Sequence, residues 1–262
     1  MTTVTTVTQV TPRATGYIDV NGVHMYVEQY GEGEPLVLLH GGMLTIELNF
    51  ASLIPTLATR HRVIGVEMQG HGRTADIDRP ITPAGLASDV VGVLDTLGLE
   101  SADLLGHSMG AAVALELAVS HPRRVRRLVA AGASVRPDGL HEDLTDPAKT
   151  ATSTRLPTAQ DFADFKEAYT RLSPHPEHFD EFMATLSATN ADLQGWSDEQ
   201  LAGIAAPTLL VIGDRDFTTV EHGALMLRLI PGSQLAVLPD TTHMQVTRRR
   251  ELLPMLERFL GP

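Results

Sequence analysis

The chain contains no cysteine, which excludes a disulfide framework, a thiolate metal site and a cysteine nucleophile. Positive charge is in short supply: 20 basic residues stand against 32 acidic ones, a net charge of −12. Phosphate binding needs a basic surface, so nucleic acid is not an expected partner. Aromatic residues are scarce, at 5% with one tryptophan. No apolar run is long enough to span a bilayer. The first residues, Met1–Thr6, lack the basic start and apolar stretch of a signal peptide. These absences point to a cytoplasmic protein without membrane contact. Internal repeats are missing too, and compositional bias is confined to the Thr-rich start, so residues 1–13 are expected to form a loose tail.

What is there suits one large α/β domain: 262 residues, 43% of them apolar. Short apolar runs alternate with helical periods, the pattern of a mostly parallel sheet wrapped by helices. Tyr17–Val20 and His24–Gln29, joined at Asn21-Gly22, read as a hairpin. Further strands are expected at Pro35–Leu39, Arg62–Met68, Ala102–Leu105, Val125–Ala131, Thr208–Ile212 and Gln234–Leu238. Thr82-Pro83 starts a helix carrying Leu86, Val90, Val93, Leu94 and Leu97, which Gly98 ends. A second helix is expected over Met109–Val119 and a last one over Arg248–Leu260.

One segment breaks the rhythm. Between Val135 and Gln200 no strand-like run occurs, and two helical patterns take its place: Phe162, Phe165, Tyr169, Leu172, then Phe179, Phe182, Met183, Leu186. Five of these eight positions are aromatic in a chain poor in aromatics. They either glue these helices to the main domain or line an apolar substrate pocket beneath a cap. Residues 136–199 are therefore read as a helical cap, with 14–135 and 200–262 as the core. Met43, Phe162, Phe165, Phe179 and Phe182 are the candidate substrate-binding residues.

Gly106-His107-Ser108-Met109-Gly110 fits G-x-S-x-G between a strand-like run and an alanine-rich helix. A serine at a sharp strand-to-helix turn needs small neighbours at −2 and +2 so that strand and helix can approach. The helix N-terminus behind Ser108 favours developing negative charge. Two backbone donors should face that charge: the N–H of Met109 and, from His40-Gly41-Gly42, that of Gly42, with Met43 as second choice. His40 is read as a brace for its loop. Of the 11 histidines, His243 stands in a Pro239–Thr242 loop after a strand and before the last helix, where a general base belongs. The orienting carboxylate is Asp216, which clears the end of the Thr208–Ile212 strand; Asp214 is its rival and Asp240 a weaker one. His175-Pro176-Glu177-His178 lacks the partners of a known zinc motif, so no metal and no cofactor is expected.

Taken together, His40-Gly41-Gly42, Gly70-His71-Gly72-Arg73-Thr74, Gly106–Gly110, Gly213–Asp216 and the His243 loop resemble the α/β-hydrolase superfamily over nearly the whole chain. The resemblance implies an eight-stranded, mostly parallel sheet flanked by helices, and a small helical cap inserted after the sixth strand. It implies Ser108, Asp216 and His243 as a catalytic triad. Glu67 stands where the family usually has aspartate and is read as structural. Ser108 disfavours the dehalogenase and epoxide hydrolase reactions, which use aspartate there, and dienelactone hydrolysis, which uses cysteine. Met43-Leu44 lacks the proline usual in cofactor-free perhydrolases. The carbon–carbon-bond hydrolases have a more glycine-rich loop than His40–Met43. Within the superfamily the chain looks like small bacterial carboxylesterases and lactonases, a resemblance that implies a small ester or lactone as substrate. A ligand receptor that keeps the triad is the reading from another class, and a turnover screen across esters separates the two. Oligomeric state is not legible.

Overall fold

The computed structural model describes residues 10–191 and 195–261. Eight strands form one sheet: β1 Ala14–Val20, β2 Val23–Tyr30, β3 Glu34–Leu39, β4 His61–Val66, β5 Ala102–His107, β6 Val125–Ala131, β7 Thr208–Arg215 and β8 Gln234–Thr242. Their order is β1-β2-β4-β3-β5-β6-β7-β8. The pairs β1/β2 and β2/β4 are antiparallel and the others parallel. Asn21 and Gly22 both take positive φ, at 47° and 82°, as a tight hairpin turn between β1 and β2 requires.

The central strands bury both faces, which is why they read as continuous apolar runs. Val37, Leu39, Ile64 and Leu104 point to one side, against α1 Pro83–Thr96 and α2 Met109–Ser120. Leu36, Leu38, Val63 and Leu105 point to the other, where the one-turn helix Ile46–Phe50 and the C-terminal helix Leu252–Leu260 pack. That last helix buries Leu252, Leu256 and Leu260, a stripe at i, i+4, i+8.

Local sequence sets the ends of α1. The Thr82 hydroxyl accepts the Gly85 N–H at 3.1 Å, and Pro83 fills the first helical position. At the other end Gly98 takes φ 67°; its N–H reaches the Asp95 carbonyl at 3.0 Å while the Leu99 N–H reaches Leu94 at 2.9 Å, a Schellman closure.

Between β6 and β7 lie α3 Ala159–Leu172 and α4 Phe179–Ala191, with several shorter turns. A capping box starts α3: Thr158 Oγ1 accepts the Asp161 N–H, and the Asp161 carboxylate accepts the Thr158 N–H. This is the helical insertion expected after the sixth strand. The short helix Asp198–Ala202 straddles the expected 199/200 border. Of the expected tail, residues 1–9 lie outside the described residues; Arg13 is tied down, donating its N–H to the Gln29 carbonyl at 2.7 Å and pairing with Glu32.

Two expectations near the C-terminus need correction. Pro239–Thr242 is part of β8, not a loop. The strand accommodates the turn-like Pro239-Asp240 by a register shift against β7 and a positive φ of 46° at Asp240. The last α-helix starts at Leu252, because His243–Arg248 forms a tighter 3₁₀ turn, capped where Gln245 Oε1 accepts the Thr242 N–H.

Candidate active site

Ser108 follows β5 and precedes α2, with φ 54° and ψ −116°. A non-glycine residue in that region is strained, and strain of this kind persists only where the surroundings enforce it. Here the Ser108 N–H is fixed to the Ala131 carbonyl at 2.8 Å, while its own carbonyl accepts from Ala111 and Ala112. The flanking glycines have no alternative. A Cβ on Gly106 would collide with the Gly110 carbonyl, and one on Gly110 with that of Leu39. The motif spacing is thus the condition for β5, α2 and β3 to meet.

His243 stands directly after β8, nearly fully buried. Its Nδ1 lies 2.6 Å from Asp216 Oδ1. Asp216 also accepts the N–H groups of Gly213 at 3.2 Å and Phe217 at 2.6 Å. Burial works to raise the Asp216 pKa; the charge and hydrogen bond of His243, with the Gly213 N–H, outweigh it and hold the carboxyl below its ordinary range. The rivals face elsewhere. Asp214 is exposed and accepts the Thr241 N–H at 3.1 Å, and exposed Asp240 pairs with Arg215.

The Gly41–Leu44 turn approaches from β3. It closes with the Leu44 N–H on the Gly41 carbonyl at 3.2 Å, and Met43 takes φ 65°. Neither the Gly42 nor the Met109 N–H has a partner within the protein among the described residues. His40 braces this turn as expected: Nδ1 donates to the Gly41 carbonyl at 2.8 Å, and Nε2 accepts the Met68 N–H at 3.0 Å. Complete burial pushes its pKa well down, so the ring is neutral.

Sequence reasoning missed Asn49, a buried residue on the helix Ile46–Phe50. Its Oδ1 accepts the Gly41 N–H at 2.8 Å and lies 3.1 Å from His107 Nδ1, while Nδ2 donates to Thr247 Oγ1 at 2.7 Å. His107 Nε2 in turn lies 3.0 Å from the His243 carbonyl oxygen. Both neighbours of that ring are acceptors. Burial, with His243 nearby, pushes its pKa down to about 3, so the neutral ring donates to one of them at a time.

Two cavities meet at Ser108, Met109, Phe217 and His243. The larger, about 490 Å³, runs beneath Trp196, Leu140 and Leu144. The smaller, about 130 Å³, is walled by the Gly41–Leu44 turn, Met183 and Met244. Of the expected substrate-binding residues, Met43 lines the smaller one and the four phenylalanines line neither. Phe165 is buried against Leu44 and Met244. Phe182 packs edge-on to His71, with ring centroids 4.8 Å apart, and stacks on Tyr169. Phe179 packs on Tyr169, and Phe162 is 44% exposed. The helical spacing was right, but three of the four rings pack beside the cavities and Phe162 faces solvent, while Met183 and Leu186 of the same pattern line the smaller cavity. Phe217 and Trp196 were overlooked. Phe217 follows the expected acid and stacks on His243 at 3.9 Å, a position its adjacency to Asp216 signals. Trp196 is the lone tryptophan.

Among the described residues, His175, Glu177 and His178 are the one group with metal-ligand spacing; all are exposed, and none lines either of these two cavities. No helix among the described residues is long and apolar enough to cross a membrane.

The model of the alpha/beta hydrolase family matches residues 36–254. A Pseudomonas putida relative, 2-hydroxy-6-oxononadienedioate/2-hydroxy-6-oxononatrienedioate hydrolase 2, is 31% identical over 84% of this chain and 85% of its own. A solved N-acyl homoserine lactone degrading enzyme is 27% identical, with a TM-score of 0.73 over 93% of this chain and 99% of its own. An enol-lactonase from Burkholderia xenovorans, at 22% identity and TM-score 0.74 over 93% of this chain and 99% of its own, shares the fold. The first of these acts on dienedioates, a group from which the composition of the His40–Met43 loop had set the chain apart. A match over most of the length, on this fold, makes the chain a member of the alpha/beta hydrolase family.

Proposed function

We propose that the chain is a serine hydrolase that cleaves carboxylic esters or lactones through an acyl-enzyme on Ser108. The observation that carries this reading is the buried 2.6 Å contact between Asp216 and His243, with His243 and strained Ser108 together on the walls of both cavities. In this mechanism Ser108 Oγ attacks the carbonyl carbon while His243 takes its proton. Asp216 holds the imidazole in one tautomer and stabilises the imidazolium. The N–H groups of Gly42 and Met109 receive the oxyanion. His243 returns the proton to the leaving oxygen, then activates the water that releases the acid. No step draws on a metal or an organic cofactor.

Hydrolysis of a 2-hydroxy-6-oxo dienedioate is the second reading, favoured by the 31% identical relative. Such a substrate carries two carboxylates. Among the described residues, Arg136 is the one permanently charged side chain on the cavity walls, and it is paired with Asp198. This favours the ester or lactone. The test is a panel of aryl esters, lactones and one 2-hydroxy-6-oxo dienoate on purified protein, beside fluorophosphonate labelling. Turnover of esters or lactones with Ser108 labelled supports the proposal. Turnover of the dienoate alone overturns it, and single-turnover behaviour on every compound indicates the receptor.

A further inference from the structure

We infer that the site takes a neutral ester or lactone with two unequal arms, the larger one apolar and free of charge; this rests on the ester reading above. The argument starts from the two cavities. They share Ser108, Met109, Phe217 and His243 and then diverge, so a carbonyl at Ser108 sends its two substituents into separate lobes. The lobes differ nearly fourfold in volume, about 490 against 130 Å³.

The larger lobe has polar side chains on its wall, but they are already engaged. The Ser134 hydroxyl donates to the Arg136 carbonyl at 2.6 Å, and that of Thr218 to the Ala133 carbonyl at 3.0 Å. Trp196 Nε1 donates to Glu116 at 2.8 Å. Thr82 Oγ1 caps α1, and Arg136 is paired with Asp198. What remains facing the space is Ile81, Leu86, Val135, Leu140, Leu144 and the indole ring. An alkyl or aryl arm gains there by leaving water. A carboxylate would lose its hydration and find no unpaired cation.

The smaller lobe is bounded on one side by the Gly41–Leu44 turn and on the other by Met183, Leu186 and Ser187 of α4. The turn is pinned by His40 and Asn49, so this wall does not retreat to admit a longer group.

Two ester series test the proposal on the wild-type protein: methyl esters of lengthening acids, and acetates of lengthening alcohols. The expected result is that kcat/KM climbs by up to roughly fourfold per methylene in one series only. It falls with length in the other. The climbing series identifies which half of the substrate fills the larger lobe. A terminal carboxylate on the longest member should lower kcat/KM at least tenfold. Leu144→Trp should lower the long-to-short ratio at least tenfold in the climbing series, and Met183→Trp should shift only the other. Melting temperatures show that each variant is folded. Alkyl boronic acids of rising length, as inhibitors of the wild type, give the same readout without a variant. Equal tolerance of length in both series overturns the inference, as does a preference for the carboxylate-bearing ester. The ester reading fails differently: no turnover in either series and no labelling of Ser108.

Discussion

Asn49 Oδ1 accepts the Gly41 N–H at 2.8 Å, so a side chain from a one-turn helix fixes the backbone that carries Gly42. The same amide donates to Thr247, four residues beyond His243. Asn49→Ala removes both bonds and leaves buried polar groups unpaired, at a cost of about 1–3 kcal/mol for each. The expected outcome is a folded variant with a lower melting temperature and a kcat reduced roughly 10- to 100-fold, with KM little changed, because a misplaced oxyanion donor acts on the transition state. Asn49→Asp keeps the acceptor for Gly41 and should recover part of kcat. Full activity in folded Asn49→Ala would show that the brace is not needed.

Ser108→Ala should cost on the order of 10⁴–10⁶ in kcat with folding intact. Asp216→Asn should cost about 10⁴, since the amide favours the wrong His243 tautomer. Asp214→Asn is the control: its carboxylate is exposed and bonds the Thr241 N–H. A variant at Asp214 more damaging to kcat than one at Asp216 would reverse the assignment of the acid.

The part of the stability that rests on His71 should fall as the solution is acidified below about pH 6.5. His71 is buried, with Nδ1 donating to the Gln69 carbonyl at 2.9 Å, and burial lowers its pKa from 6.5 to about 4. Between those two values the unfolded chain binds the proton and the folded chain does not. Stability from this group is therefore fully present above about pH 6.5 and is lost as pH falls toward 4. The contribution reaches roughly 3 kcal/mol. Urea unfolding at stepped pH measures the slope, and His71→Gln should reduce it, leaving the parts that buried His40 and His107 contribute. An unchanged slope in that variant would place the effect on other groups.

The cap rings give a forecast that separates packing from binding. Phe165 and Phe182 are 1% and 3% exposed and line neither cavity. Replacing either with alanine should cost about 3–5 kcal/mol of stability. The ratio of kcat/KM for long and short esters should stay level. A changed ratio at an unchanged melting temperature would show that the rings reach substrate.

Much of this site was legible because its residues answer to local backbone demands. Gly106 and Gly110 are required by the close approach of β5, α2 and β3, and that requirement writes the motif directly into the chain. Asp216 was legible from its place beyond a strand. The direction of the cap helices was not: periodicity tells which rings share a face, and the packing of α3 and α4 decides where that face turns. The extension of β8 was hidden for a similar reason. Pro239 and Asp240 look like a turn, and the pairs on either side of them, Leu238 with Gly213 and Thr242 with Arg215, keep the strand going through the irregularity. Asn49 was missed because a polar residue in an apolar helical turn carries no local signature. Its partners come from Gly41, His107 and Thr247, which sequence does not bring together.

Those partners have a consequence for how the protein matures. The bond from Asn49 to Thr247 spans 198 positions, and the contact from His107 to His243 spans 136. The hairpin and the helices close over short loops and can form early, whereas contacts this remote in sequence are made late. Competence to be acylated should therefore be the last property regained on refolding. After dilution from denaturant, far-ultraviolet ellipticity should recover first and fluorophosphonate capture by Ser108 should lag behind it. The reactivity of one serine would then serve as a clock for the moment when the two ends of the chain have found each other.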